Sequence, residues 1–516
     1  MKKLSYVLYI LVLSVTTAFA KNYNVKDFGA VGDGRYLDSP AIQKAIDACT
    51  ADGGGMVIIP RGTYLGATIV LKDNTTLHLE EGALLLGTTD LNAYDLIDPF
   101  TDGLGVDVGR TFIAAVDAKN ITIEGKGIID GQGSALKAKQ IETDNRPEGQ
   151  RWGARPFLLR IVRCQGVKVQ DVTLKYSASW TSHYAQSSDI VISNVKITSI
   201  GVAHNDGIDI DGCERVRITN CDVESGDDAL CFKTTYSKNP CRDIVVDGMK
   251  LKSNQAGIKM GTESMAPFEN IKISNCHIYN TNNGGIKLLT VDGAHLRNIL
   301  IEDITMDNVR TPMLFRLGSR LNVFRKERDQ QQPTGTFENV VIRNVKAKSA
   351  EKTQLTSASG ILITGVPGHL ITNLTLENIE IALPGGGTVE EGRHEVPEAV
   401  NEYPEIKTFG PTIPAYGVWA RHADGLKLNN ITFKVENPDL RPVFVFEDVK
   451  NVSIKKLNAE AFEGSESAIR IENSENVQIA ISGLRGKSQK LLEVEGADNT
   501  ISLHGKQILK TIEGAK

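Results

Sequence analysis

The sequence predicts an all-β fold, a single-stranded right-handed parallel β-helix with an N-terminal capping helix, on three observations. A short unit of pattern apolar-x-apolar-x-[Asn/Asp]-apolar-x-apolar recurs as "VKVQDVTL" at Val167, "IVISNVKI" at Ile190, "VRITNCDV" at Val216, "IVVDGMKL" at Ile244, "IKISNCHI" at Ile271 and "ILIEDITM" at Ile299. The starts lie 23, 26, 28, 27 and 28 residues apart. A unit of that length cannot bury its own apolar face, so successive units must stack and share one core. The composition agrees: 48 glycines and only 6% aromatic residues suit many short strands and turns better than packed helices.

Taken in order, "MKKLSYVLYILVLSVTTAFA" has lysines at 2 and 3, an apolar centre and Ala18-Phe19-Ala20 as a small-residue cleavage site. Residues 1–20 therefore read as a secretory signal peptide, too short in its apolar run for a bilayer span, and point to a secreted or periplasmic location. The segment "DSPAIQKAIDACTADGGG" follows, with Ser39 expected at the N-cap, Pro40 at the first helical position, and Ile42, Ala45, Ile46 and Cys49 on one face. This helix is expected to cover the open end of the solenoid, where bare strand edges invite association. Strands begin in "GMVIIPRGTY" and "ATIVLKDNTTLHLEEGALLLG", and the repeat continues less regularly at Val340, Leu374, Leu426 and Val452. In each unit the alternation marks strands and the midway Asn or Asp marks a bend. Insertions near 93–112, 134–156, 320–337 and 384–416 break the rhythm, and loops of that length are usually functional. Residues 21–516 are thus expected to form one β-helical domain with added loops. Seven scattered cysteines make no zinc spacing; Cys231 and Cys241 could pair across a loop, or the thiols could be free and buried.

A formal net charge of −5 and a pI near 6.1 leave no electrostatic footprint for nucleic acid. No later segment is apolar enough to span a membrane, and a monomer is expected. The informative charge is local. "HNDGIDIDGCERVRITNCDVESGDDALCFKT", from His204 to Thr234, is crowded with aspartates, which are poor strand residues. Asp211 and Asp222 read as turn residues. One coil separates stacked residues by roughly 4.8 Å, and Asp206 and Asp227 are 21 residues apart with Asp228 adjoining. These three carboxyl groups should share a patch of the outer wall, with Asp209 directed elsewhere by alternation. Like charges so close cannot all ionise, so one acid should stay protonated beside ionised neighbours. That pairing serves glycosidic cleavage, and the same cluster could instead hold Ca²⁺.

On these residues the chain resembles glycoside hydrolase family 28, the polygalacturonase-like β-helix enzymes of pectin breakdown. "HNDG" matches the family's Asn-Thr-Asp motif at Asp206, with His204 and Asn205 flanking, and "SGDDA" matches its Asp-Asp pair at Asp227 and Asp228. The resemblance implies Asp227 as the general acid, Asp206 and Asp228 as activators of water, and inversion of configuration. Rung spacing alone, at about 5 Å, would by the general rule suggest retention. The Gly-His-Gly motif falls on "QAGIKMGTES", where Ala256 replaces the histidine beside Lys259 and Glu263. The Arg-Ile-Lys motif falls on "GGIKLLT", where Lys287 replaces the arginine and Leu289 the lysine that the family is thought to use on the galacturonate carboxylate. Lys233, Lys259, Lys287, Arg316 and Arg320 are candidate replacement cations. His183 and Trp180 in "SASWTSHY" and Trp419 and Arg421 in "YGVWARHADG" are candidate sugar contacts.

The resemblance implies a secreted hydrolase of pectic polysaccharide, polygalacturonase or related galacturonidase, whose insertions favour exo action, with no metal or cofactor. Alternatives are a rhamnogalacturonan-directed hydrolase or rhamnosidase of the same family, a Ca²⁺-dependent polysaccharide lyase using Lys259 or Lys287 as base, and a non-catalytic carbohydrate-binding β-helix.

Overall fold

A computed structural model describes residues 21–480, 482–496, 500–503 and 506–508, so the signal peptide expected over residues 1–20 lies outside the described residues. The chain is a parallel β-helix, and its rungs pair in the register set by the repeat. Val167 lies opposite Ile190, Ile190 opposite Val216, Val216 opposite Ile244, Ile244 opposite Ile271, and Ile271 opposite Ile299. The register continues through Val340 to Leu374. These residues point inward and are buried in one continuous apolar core.

The midway polar residue makes the bend by adopting left-handed backbone. Asp171, Asn194, Asn220, Asn275 and Asp303 have φ between 54° and 61°, a region Asn and Asp tolerate better than other side chains with a Cβ. Their side chains then stack along the helix: the Asn194 amide donates to Asp171 at 3.0 Å and that of Asn344 to Asp303 at 2.9 Å.

The expected helix spans Ser39–Ala51 and buries Ile42, Ala45, Ile46 and Cys49 in the shared core. Its N-cap is Asp38, not Ser39. Ser39 opens the helix and its hydroxyl accepts from Ala67 N at 3.1 Å, while the Asp38 carboxylate accepts from Val31 N and Gly32 N. The loop just before the helix is thus tied by the residue that sequence alone would have treated as preceding the cap.

Each insertion is built on the outer wall. Strands Leu96–Thr101 and Asp107–Val116 form an antiparallel hairpin; Gly133–Thr143 is helical; residues 384–416 carry a helical turn at Val389–Gly392 and another at Ile406–Phe409. Two apolar clusters outside the main core hold them down. Phe100, Val108, Trp152, Phe157, Trp180, Met265 and Phe324 form one, under the hairpin and the 320–337 loop. Leu289, Leu314, Leu362, Val396, Phe409 and Trp419 belong to the other, under the 384–416 segment. A cleft opens on the wall, lined by residues of the hairpin turn and of the 384–416 segment. All seven cysteines are free and buried, Cys231 donating to Gly261 O and Cys241 to Ile210 O and Lys233 O, so Cys231 and Cys241 do not pair.

Candidate active site

Two adjacent outward columns of the wall run through the site, and Lys259 and Lys233 are the members that line the cleft. One carries His183, Asp209, Cys231, Lys259, Lys287 and then Leu314, each opposite the last by register. The next carries Ala185, Asp211 and Lys233. The strand Ile208–Asp211 pairs with Leu230–Thr234 as Ile208 to Leu230. Carried back two places, that register sets Asp206 opposite Asp228, with Gly207 N donating to Asp228 O at 2.8 Å. The coil step at the site is thus 22 residues, and Asp228, not Asp227, is the stacked partner of Asp206. Asp227 escapes strand alternation because it sits in the turn before Leu230. There its carbonyl accepts from Ser225 Oγ at 2.7 Å and from Ser253 Oγ at 2.5 Å, which fixes the turn from two coils.

The cleft has a volume of about 540 Å³, and Asp206, Asp227 and Asp228 all line it. Their proton affinities diverge. Burial, reinforced by Asp206 and Asp228, pushes the Asp227 carboxyl well above the usual carboxylate range. Burial would do the same to Asp228, but Lys259 Nζ at 2.7 Å, aided by Lys233, holds it below. The second Asp228 oxygen accepts from Ala256 N at 3.0 Å. Asp206 is raised by burial, opposed by Lys233 at 3.3 Å. Asp209 is not turned away, as alternation suggested: it lies fully buried on the outer wall beside Asp206, 3.6 Å from Lys233 Nζ. Burial and then Asp206 push its proton affinity well above the usual carboxylate range, opposed by Lys233. An oxygen of Asp206, one of Asp228 and Cys231 Sγ lie within 4.8 Å of one another, a geometry open to a cation. Two ammonium groups already stand at that spot, Lys233 on Asp206 and Lys259 on Asp228, which makes the donor set a poor match for Ca²⁺.

Of the flanking candidates, His204 lines the cleft with its ring stacked on Trp152 at 4.4 Å and its Nδ1 3.8 Å from Asp227. Burial, then nearby Arg155, lowers it to about 4, so it is neutral near pH 6. Lys259, Glu263 and Trp180 also line the cleft, Glu263 accepting from Gly103 N at 3.1 Å and Lys233 Nζ standing 4.3 Å over the Trp180 ring.

Other expectations are corrected. Asn205 points inward, fully buried, toward Ser199. His183 is sealed between Phe157 and Asp211 and meets no cleft. Arg316 is a structural clamp whose guanidinium donates to Thr364 Oγ1, Gly365 O, Glu398 O and Ala399 O at 2.7–3.0 Å. Arg320 is spent on Asp292 at 2.6 Å. Trp419 is buried under the 384–416 segment, and Arg421 donates to Val396 O and Pro397 O. Trp419 and its neighbours are closed because the column past Lys287 turns apolar at Leu314 and Leu362 and packs under the 384–416 segment. Lys287 is likewise buried, its Nζ 3.5 Å from Glu405.

Several cleft residues come from places the motifs do not mark: Asp102 and Leu104 from the hairpin, Asn283 from a coil turn, Gln354, and Tyr403, Glu405 and Lys407 from the 384–416 segment, while Gln255 opens the "QAGIKMGTES" stretch. Burial, with Glu263 nearby, lifts Asp102 to about 7. Insertion length was the one available signal for the loop residues; which side chain faces the cleft depends on how the loop folds back.

A family model described as glycosyl hydrolases family 28 matches residues 59–398, and one described as rhamnogalacturonase A/epimerase, pectate lyase-like, matches residues 22–80. The chain is 25% identical over 397 residues to a probable polygalacturonase of Vitis vinifera, covering 73% of this chain and 77% of that one. It is 26% identical over 343 residues to an exo-poly-alpha-D-galacturonosidase of Dickeya chrysanthemi, covering 58% of this chain and 52% of that one. The crystal structure of a hyperthermoactive exopolygalacturonase from Thermotoga maritima superposes with a TM-score of 0.61 at 22% identity, over 80% of this chain and 92% of that one, a likeness of fold.

Proposed function

Because the chain belongs to glycosyl hydrolases family 28 and is a glycoside hydrolase, we propose that it cleaves α-glycosidic bonds of pectic polysaccharide by a single inverting displacement. Asp227 gives its proton to the glycosidic oxygen as the bond to the anomeric carbon breaks. Asp228, with Asp206, takes a proton from the water that attacks the opposite face. One observation carries this reading: Asp227 and Asp228 line a single cleft, and Lys259 stands 2.7 Å from Asp228 and depresses its proton affinity while burial beside Asp206 and Asp228 raises that of Asp227. The two proton affinities are thus pulled apart in the sense that an acid and base pair requires. The Dickeya relative's exo activity, and a 384–416 segment folded over one flank of the cleft, support action at chain ends. Among the described residues no helix is long and apolar enough to cross a membrane. We place the enzyme outside the cytoplasm on its leader sequence, and as a monomer.

The test is product analysis by mass spectrometry on polygalacturonate, rhamnogalacturonan and xylogalacturonan, with Asp227→Asn alongside. We expect new reducing ends on at least one polymer and a fall in kcat of about 10²–10⁴-fold in the variant, with its melting temperature kept. Full activity in Asp227→Asn would remove the acid from the mechanism. Product absorbing near 235 nm would mean elimination instead.

A further inference from the structure

Each ammonium group in the cleft floor is matched by a carboxylate of the protein itself. Lys233 faces Asp206, Asp209 and Glu263 at 3.3–3.6 Å, and Lys259 faces Asp228. Lys287 is 1% exposed and does not reach the cleft. Glu405 stands between it and the cavity, taking a bond from Asn283 on the same carboxylate oxygen that faces the Lys287 ammonium. What the cavity presents there is therefore a carboxylate and an amide. In all, six carboxyl groups and three ammonium groups line it, and of the three only Lys407, exposed on the rim, has no ion pair among the described residues.

A second observation points the same way. Asn283 donates to Gln255 Oε1 at 2.7 Å and to Glu405, while its own buried Oδ1 has no hydrogen-bond partner. A buried acceptor left unmatched is costly until a donor arrives. A sugar hydroxyl brings that donor; an ionised carboxylate has none to offer and would also meet Glu405 as a like charge in a partly dried cleft.

Resting on the hydrolase reading above, we infer that the sugar seated against Asn283 and Glu405 is an uncharged glycosyl residue, not a uronate, and that Glu405 sets this choice. The 384–416 segment supplies a built-in carboxylate in place of the ligand's, which turns a cation into the back wall of a neutral subsite.

The test measures binding, so that it does not depend on turnover. Asp227→Asn protein, with and without Glu405→Gln, is titrated calorimetrically with two sets of pectic oligosaccharides, ending in rhamnose or in galacturonate at the non-reducing end. We expect the Asp227→Asn protein to bind the rhamnose-ended set at least 100-fold more tightly. Adding Glu405→Gln, which keeps the amide contacts and unmasks Lys287, is expected to narrow that ratio at least tenfold through tighter binding of the galacturonate-ended set. Equal or tighter binding of galacturonate ends by the Asp227→Asn protein, or a ratio that Glu405→Gln leaves in place, would overturn the inference. Selective binding with no product from any polymer by the unmodified chain would defeat only the hydrolase reading.

Discussion

Replacing Lys259 by Met separates an ion that tunes the acids from one that merely fills space. Its Nζ lies 2.7 Å from Asp228 Oδ2 and both side chains are buried. At an effective dielectric constant of about 20, charges at that distance attract by roughly 6 kcal/mol. Desolvation of both ions cancels much of this, yet removing one partner of a buried pair costs about 3–5 kcal/mol because the other charge is stranded. The sign with pH follows from Asp228. Its folded proton affinity is depressed, so its contribution is present above the unfolded value and lost as pH falls through the folded one. In Lys259→Met the stranded carboxyl prefers its proton, so the loss in stability should be largest near pH 7 and shrink toward acid. Urea denaturation between pH 4 and 8 reads this directly. Activity should respond in both limbs. In the proposed mechanism Asp228 acts ionised and Asp227 protonated, and Lys259 lowers the affinity of both for protons, so the whole bell of kcat/KM against pH should move upward. A profile that drops in height without moving, or a stability loss that does not vary with pH, would refute the claim that this ammonium sets the two protonation states.

The remaining predictions concern the frame of the site. His183 is fully buried and lowered to about 4, chiefly by burial, from an ordinary value of 6.5. It is neutral in the fold, so stability is intact above pH 6.5 and should fall by roughly 3 kcal/mol as pH drops toward 4; chemical denaturation of His183→Gln, which keeps a donor for Asp211, should lack that loss. Arg316→Met removes four hydrogen bonds, two of them to the backbone of the 384–416 segment at Glu398 and Ala399. Limited proteolysis should then cut within 384–416 and KM should rise at least fivefold, since Tyr403, Glu405 and Lys407 line the cleft from that segment.

The solenoid was legible in the sequence because each rung repeats one rule: apolar residues alternate and an Asn or Asp bends the chain. The steps read between the units at Val167 and Ile299 are the register found between their strands. The carboxyl trio was legible for the same reason, coil spacing being a direct measure of position. The error of one residue in stacking Asp206 on Asp227 arose because the Asp-Asp pair lies in a turn, where strand alternation says nothing. Cations were harder. Lys259 and Lys287 share one column, yet Lys259 reaches the cleft and Lys287 is masked by Glu405, a residue 118 positions later. No period links an insertion to the rung it covers. Arg316, Arg421 and Trp419 looked like ligand contacts because outward polar and aromatic residues usually are exposed; here the 384–416 segment needed anchors, and it took them.

The seven thiols have a consequence for handling the protein. All are buried without a disulfide, and burial pushes Cys221 up to about 11 and Cys241 and Cys276 up to about 12. Alkylation needs an accessible thiolate, so the native chain should resist it in oxidising and reducing media alike. Cys164, Cys213, Cys241 and Cys276 stand on different turns of the solenoid and Cys49 on the leading helix. The order in which a peptide map shows them alkylated in mild denaturant is then a record of which turn peels away first, written without introducing a single label.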